Sequence, residues 1–337
     1  METKTIRVDP RNPEPTTIAE AASLLQHGEV VAFPTETVYG LGARAFDTAA
    51  VAKIFKAKER PVDNPLIVHI ADTDDLSTLI RDIPESAQEL IETFWPGPLS
   101  LVLPKHPTLP SITTGGLDTV VVRFPAHPVA QELIRATGQP IAAPSANTSG
   151  KVSPTTAAHV AADLHGKIPL ILDAGTIEYG LESTVVDCTT TPPVILRPGS
   201  ITKEVLHAVL PDIGTADTTQ PHRSPGMKYR HYSPAAPVIL FTGEPDATAH
   251  AIETYVTKHH NETVAILWHS GGTRRPTFAK QLPAASERAA PRLFAALRAL
   301  DELRPAAILV QGYSTTGLGA AIMNRLEKAA SNIIVCN

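Results

Sequence analysis

Short apolar runs alternate along this chain with proline-rich polar turns and with stretches of helical spacing. Val30-Val31-Ala32-Phe33 predicts a buried strand. It runs into Pro34-Thr35-Glu36-Thr37-Val38-Tyr39-Gly40-Leu41-Gly42, which reads as a strand-to-helix turn ahead of a helix signal at Asp47. Upstream, Thr17-Ile18-Ala19-Glu20 has the form of a capping box opening a helix that ends at Gly28. Further strands are predicted at Leu66–Ile70, up to Leu103, from Thr119 to Phe124, at Ile141–Ala143, and over 169–173, 183–188 and 194–197. Helices are predicted over 73–80, 85–94, 128–136, from Pro154 onward, and near 202–210. Crossovers mixed with direct strand-to-strand steps imply a mixed sheet.

From Pro211 to Pro237 the periodicity stops, and the segment ends in a basic and aromatic cluster, Met227-Lys228-Tyr229-Arg230-His231-Tyr232-Ser233-Pro234. Beyond it the pattern alternates again: strand 238–241, helix 246–259, strand 263–268, helix 286–302, strand 306–311, helix 318–330, strand 332–336. The fold class is therefore α/β: a domain over 1–210 with a twisted mixed sheet, a linker and lid over 211–236, and a small Rossmann-like parallel domain over 237–337. The turn Gly312-Tyr313-Ser314-Thr315-Thr316-Gly317-Leu318-Gly319 lacks a full dinucleotide or Walker pattern, so an ordinary turn and a binding loop both stay open there.

Composition narrows the picture. With 43% hydrophobic residues over 337 positions, two cores can be buried. No run of about 18 apolar residues occurs and no apolar signal core opens the chain, so no membrane span is expected and the protein should be cytosolic. Two cysteines without a CxxC spacing, and histidines without metal spacing, predict no protein-held metal site. The net charge of −5 speaks against a broad nucleic-acid footprint but not against a small basic pocket.

Such a pocket has candidates. Lys58 and Arg60 stand two apart in a loop: either a solvated charged loop or a phosphate clamp, Arg as a planar fork and Lys as a point charge. Ser145 and Asn147 repeat that spacing at another strand end, where a polar turn is the plain alternative. Arg123 and Arg197 lie in or at the end of apolar runs, and a buried guanidinium needs an anionic partner. His69, in an alternating strand, is as readily a neutral core histidine as a site residue. Cations and hydroxyls of this kind suit phosphoryl or nucleotidyl transfer.

The ordered segments PTETVYGLG, KAKERPVDNPLIVHI, FWPGPLSLVL, VVRFP, APSANTSGKVSPT, LESTVVD and ILRPGSIT closely resemble the YrdC-like catalytic domain of threonylcarbamoyl-AMP synthases. With the linker SPGMKYRHYSP and a small Rossmann-like domain, the chain resembles the two-domain form of that family from end to end. The resemblance implies a nucleotidyltransferase that turns ATP, L-threonine and bicarbonate or carbon dioxide into threonylcarbamoyl-adenylate and pyrophosphate. That product would feed modification of the adenosine 3′ of certain tRNA anticodons, in a transfer made by other proteins. It further implies that Lys58, Arg60, Ser145 and Asn147 hold ATP and its developing charge, with Asn64, Ser153, Arg197 and Tyr232 also at the nucleotide and Tyr232 acting as part of a lid. Thr35, His69, Thr119, Arg123, Ala143 and Ser183 would surround threonine. Mg²⁺ would accompany ATP, held by phosphates and water. The alternatives are a carbamoyl-adenylate-forming carbamoyltransferase, whose relatives carry acylphosphatase-like and cysteine-rich modules not seen here, and a tRNA- or double-stranded-RNA-binding module, marked by salt-dependent tRNA binding.

Overall fold

The computed structural model describes residues 2–216, 231–271 and 278–336. Its contacts divide the chain into two units: Met1–Ser149 with Ser153–Lys228, and Gly150–Val152 with Tyr229–Asn337.

The first unit carries the strands β1 (Lys4–Arg7), β2 (Val31–Pro34), β3 (Tyr39–Arg44), β4 (Ile67–His69), β5 (Leu99–Pro104), β6 (Thr119–Arg123), β7 (Ile141–Ala142), β8 (Leu170–Asp173), β9 (Thr184–Asp187), β10 (Val194–Arg197) and β11 (Gly214–Thr215). Its helices are α1 (Pro15–Gln26), α2 (Thr48–Lys58), α3 (Leu76–Leu79), α4 (Glu85–Phe94), α5 (Pro128–Thr137), α6 (Ala157–Leu164) and α7 (Lys203–Val209). The strands form one sheet in the order β1-β8-β2-β3-β7-β4-β6-β5-β9-β10-β11. It is mixed: β4 runs parallel to β6, for example, while β5 runs antiparallel to β6.

Period-two alternation sorts the side chains onto the faces. On β2, Ala32 enters a core shared with α2, α4 and α6, while Val31 and Phe33 enter a second core built with α1 and α5. Helices α1 and α5 thus cover only part of that second face. Over β4, β6, β5, β9 and β10 the same face carries the apolar set Ile67, Val102, Val121, Val185 and Leu196 instead.

Four expectations change. Tyr39–Arg44 is not a turn into a helix but a strand paired antiparallel with β2. Gly42 makes room for packing: a Cβ there would lie 2.6 Å from Ile141 Cγ2 and 2.7 Å from Phe33 Cε1. Helix α1 begins at Pro15, with Glu14 before it, so Thr17 lies inside the first turn rather than capping it; proline's fixed φ suits that first position. Pro154 does not start α6, which Thr156 caps by accepting from His159 N; the Pro154 carbonyl instead accepts from Tyr39 N at 3.0 Å. Strand β11 falls within the stretch read as linker, pairing with β10.

The second unit contains β12 (Val238–Gly243), α8 (Pro245–Lys258), β13 (Val264–Trp268), β14 (Ala279–Gln281), α9 (Ser286–Asp301), β15 (Ala307–Gln311), α10 (Leu318–Ala329) and β16 (Asn332–Cys336). Its described strands pair in parallel in the order β14-β13-β15-β12-β16. The glycine-rich turn leads from β15 into α10, and there Gly319 has a packing reason: a Cβ would lie 2.2 Å from the Ser314 carbonyl oxygen. Among the described residues no helix is long and apolar enough to cross a membrane.

Candidate active site

Because Val68, Leu101 and Val122 point into the first core, Ile67 and His69 on β4, Ser100 and Val102 on β5, and Thr119, Val121 and Arg123 on β6 share the other face. Strand register sets His69 and Ser100 on either side of Arg123. Scattered sequence positions therefore become lateral neighbours.

Arg123, 3% exposed, is the hub. Its Nη1 donates to Thr37 Oγ1 at 2.7 Å and its Nε to the Gly97 carbonyl at 3.3 Å. Its Nη2 lies 2.8 Å from Glu36 Oε1, both side chains 4% exposed. That contact is an ion pair by distance without hydrogen-bond alignment, since Nη2 has no hydrogen-bond partner and neither has Glu36 Oε2. Glu36 Oε1 also accepts from Ala126 N at 3.1 Å. Thr35 Oγ1 sits 2.9 Å from Thr37 Oγ1 and donates to the Val38 carbonyl at 2.7 Å. On the other flank, Ser183 Oγ lies 2.8 Å from Ser100 Oγ, and Arg197 donates to the Ser183 carbonyl and hydroxyl oxygens, each at 3.1 Å.

A second cluster lies at the end of α2. Glu59 caps that helix with φ 55, which separates Lys58, its last residue, from Arg60 in the loop. Lys58 is only 1% exposed, and its ammonium donates to the carbonyl oxygens of both Ser145 and Asn147. Ser145 Oγ donates to Asn147 Oδ1 at 2.6 Å, and Asn147 Nδ2 to the Thr148 carbonyl at 2.9 Å. Arg60 donates to the carbonyls of Asn64, at 3.3 Å, and Pro65, at 2.9 Å. The two clusters meet through β7: Ala143 N donates to the Ile67 carbonyl at 2.8 Å, and Gly40 bridges to Ser145. Ser153, 1% exposed, donates to Glu182 Oε1. Thr119 is half-buried at the start of β6.

Tyr232 belongs to the second unit. Its ring stacks on Phe294, centroids 5.5 Å apart, with the Arg325 guanidinium 5.6 Å from its own centroid. Of the expected linker and lid over 211–236, residues 217–230 lie outside the described residues.

His69 is a buried neutral imidazole, edge-on to Phe33 at 6.3 Å. Burial first, then the positive charge of Arg123, push its pKa down to about 3. With the folded value below the unfolded one, its contribution to stability is complete above about pH 6.5 and is lost as pH falls towards 3. Wild type should therefore lose up to about 1.4 kcal/mol per pH unit more than His69→Gln below pH 6.5. Urea midpoints at several pH values check this; parallel slopes would mean that His69 does not carry the effect.

Among the described residues no group of three or more His, Cys, Asp or Glu side chains could hold a metal ion. The chemistry available is charge neutralisation by Lys58, Arg60, Arg123 and Arg197, with hydroxyls and amides to orient a ligand. Glu36, Thr37 and Ser100 were not among the residues read as functional. Glu36 had a signal: it lies in PTETVYGLG, and a buried Arg123 demands a carboxylate.

Comparison with known proteins agrees with this architecture. A family model described as telomere recombination (Sua5, YciO, YrdC) matches residues 23–199, and one described as the threonylcarbamoyl-AMP synthase C-terminal domain matches 201–331. The threonylcarbamoyl-AMP synthase of Pyrococcus abyssi is 48% identical over 323 residues, 94% of each chain. That of Bacillus subtilis is 49% identical over 325 residues, again 94% of each. The crystal structure of P. abyssi Sua5 complexed with L-threonine superposes with a TM-score of 0.95 at 46% identity, over 99% of this chain and 100% of that one.

Proposed function

This chain belongs to the threonylcarbamoyl-AMP synthase family, and from that premise we propose that it joins L-threonine, bicarbonate or carbon dioxide, and ATP into threonylcarbamoyl-adenylate and pyrophosphate. The threonine nitrogen bonds to the carbon of carbon dioxide and releases a proton, giving a carbamate. A carbamate oxygen then attacks the α-phosphorus of ATP, and the bond to pyrophosphate breaks. No protein nucleophile takes part. Catalysis is positioning and charge neutralisation.

One observation carries the threonine site. Glu36 Oε2, His69 Nδ1 and Arg123 Nη2, on side chains brought together by the ion pair and the strand register, are buried polar atoms without hydrogen-bond partners. Buried polar groups are almost always paired, so a cluster of exceptions needs a reason. An amino acid supplies one: its carboxylate suits the donors of Arg123, and its amine suits Glu36. Thr35, Thr119, Ala143 and Ser183 would complete that site, and the relative solved with L-threonine supports it. Lys58, Arg60, Asn64, Ser145, Asn147, Ser153 and Arg197 would hold ATP, with Tyr232 as part of the lid. Mg²⁺ would neutralise charge on the ATP phosphates, which with water would hold it. The adenylate would pass to proteins that transfer the threonylcarbamoyl group to tRNA.

Pyrophosphate release from ATP, with each amino acid added in turn, tests the reading. Release that needs L-threonine and bicarbonate together is the expected result; release indifferent to threonine would refute it.

A further inference from the structure

Between Asn147 and Ser153 the chain leaves the first unit, and Gly150–Val152 packs with the second. Two contacts within that unit hold the segment. Ser233 N donates to the Gly150 carbonyl at 2.9 Å, and Arg298 Nη2 donates to the Val152 carbonyl. Val152 is 3% exposed.

Ser233 is itself held firmly. Before it, Tyr232 sits at φ 63 with its ring stacked on Phe294 and overlaid by Arg325, which is fully buried. After it, the N–H groups of Ala235 and Ala236 donate to the two carboxylate oxygens of Asp301, each at 2.9 Å. Phe294, Arg298 and Asp301 are spaced i, i+4, i+7 on α9, so one stripe of a single helix grips both segments.

We propose that this stripe is a clasp for the nucleotide loop and that Arg298 is a positioning residue for ATP, acting through the backbone between Asn147 and Ser153. The inference rests on the reading that Ser145, Asn147 and Ser153 hold the nucleotide. Gly150, at φ 89, gives that loop a flexible joint. Two carbonyls fixed on either side of Lys151 restrict it before ATP arrives, so less ordering entropy is lost on binding.

The test uses the full chain. Arg298→Ala should raise KM for ATP about tenfold, leaving kcat and KM for threonine within about twofold, the mark of lost binding that is equal in ground and transition states. Arg298→Lys and Arg298→Gln, which retain a donor, should recover part of the loss and serve in its place if the alanine variant does not fold. Calorimetric titration with α,β-methylene-ATP gives the same comparison without turnover. Unchanged ATP affinity, a parallel rise in KM for threonine, or lysine and glutamine behaving like alanine would overturn the clasp. Wild type that binds the analogue but shows no threonine-dependent pyrophosphate release would instead count against the proposed reaction.

Discussion

Lys58→Ala is expected to lower turnover at least about tenfold, the order of one lost charge-assisted contact to a developing phosphate charge. The sequence alone suggests a variant that folds normally. The structure adds a second effect, because Lys58 is 1% exposed and its ammonium ties together the carbonyls of Ser145 and Asn147. Removing it leaves two acceptors at the site without their donor, a loss of about 1.5–3 kcal/mol for each hydrogen bond to a charged group. Threonine-dependent pyrophosphate release and a urea denaturation curve measure the two effects separately. Full activity would remove Lys58 from the ATP clamp. An unchanged urea midpoint would show that the loop keeps its form without it.

Glu36→Ala should destabilise the first unit by about 3–5 kcal/mol, because it strands the Arg123 guanidinium in a site where both side chains are 4% exposed. Breaking one side of a buried pair costs more than replacing both, so Glu36→Leu combined with Arg123→Met should be less destabilised than Glu36→Ala. The two tryptophans help here, since Trp95 lies in the first unit and Trp268 in the second. In a Trp268→Phe background, Trp95 fluorescence follows the first unit alone. A loss below about 1 kcal/mol would place the pair among ordinary surface ion pairs. Glu36→Gln keeps the shape and the acceptor to Ala126 N while removing the charge, so it separates charge from packing.

What sequence reasoning reached and what it missed follow one division. Local spacing marked most strands and helices, as in the alternation from β12 to β16 in the second unit. It missed β1 and β14, short edge strands whose residues are mostly exposed or half-buried and show no buried alternation. It misread Tyr39–Arg44 because Gly42, of a type that normally marks a turn, here clears space for Phe33 and Ile141, a reason that exists only once β2, β3 and β7 lie together.

For the site, the sequence by itself determined the family and the ingredients: a cation pair at Lys58 and Arg60 and a hydroxyl-amide pair at Ser145 and Asn147, each two residues apart, arginines inside apolar runs that demand partners, and ordered motifs that carry the family. Side-chain type and period-two spacing are local properties, so they are legible along the chain. Which strands lie side by side is not local. Only the tertiary structure set His69 and Ser100 on either side of Arg123, gave Arg123 the carboxylate of Glu36, tied Lys58 to Ser145 and Asn147, and gathered Phe294, Arg298 and Asp301 around Ser233 and Val152. These contacts arise from chain closures over long separations, where pairing order and register, rather than any neighbouring residue, decide which polar groups meet.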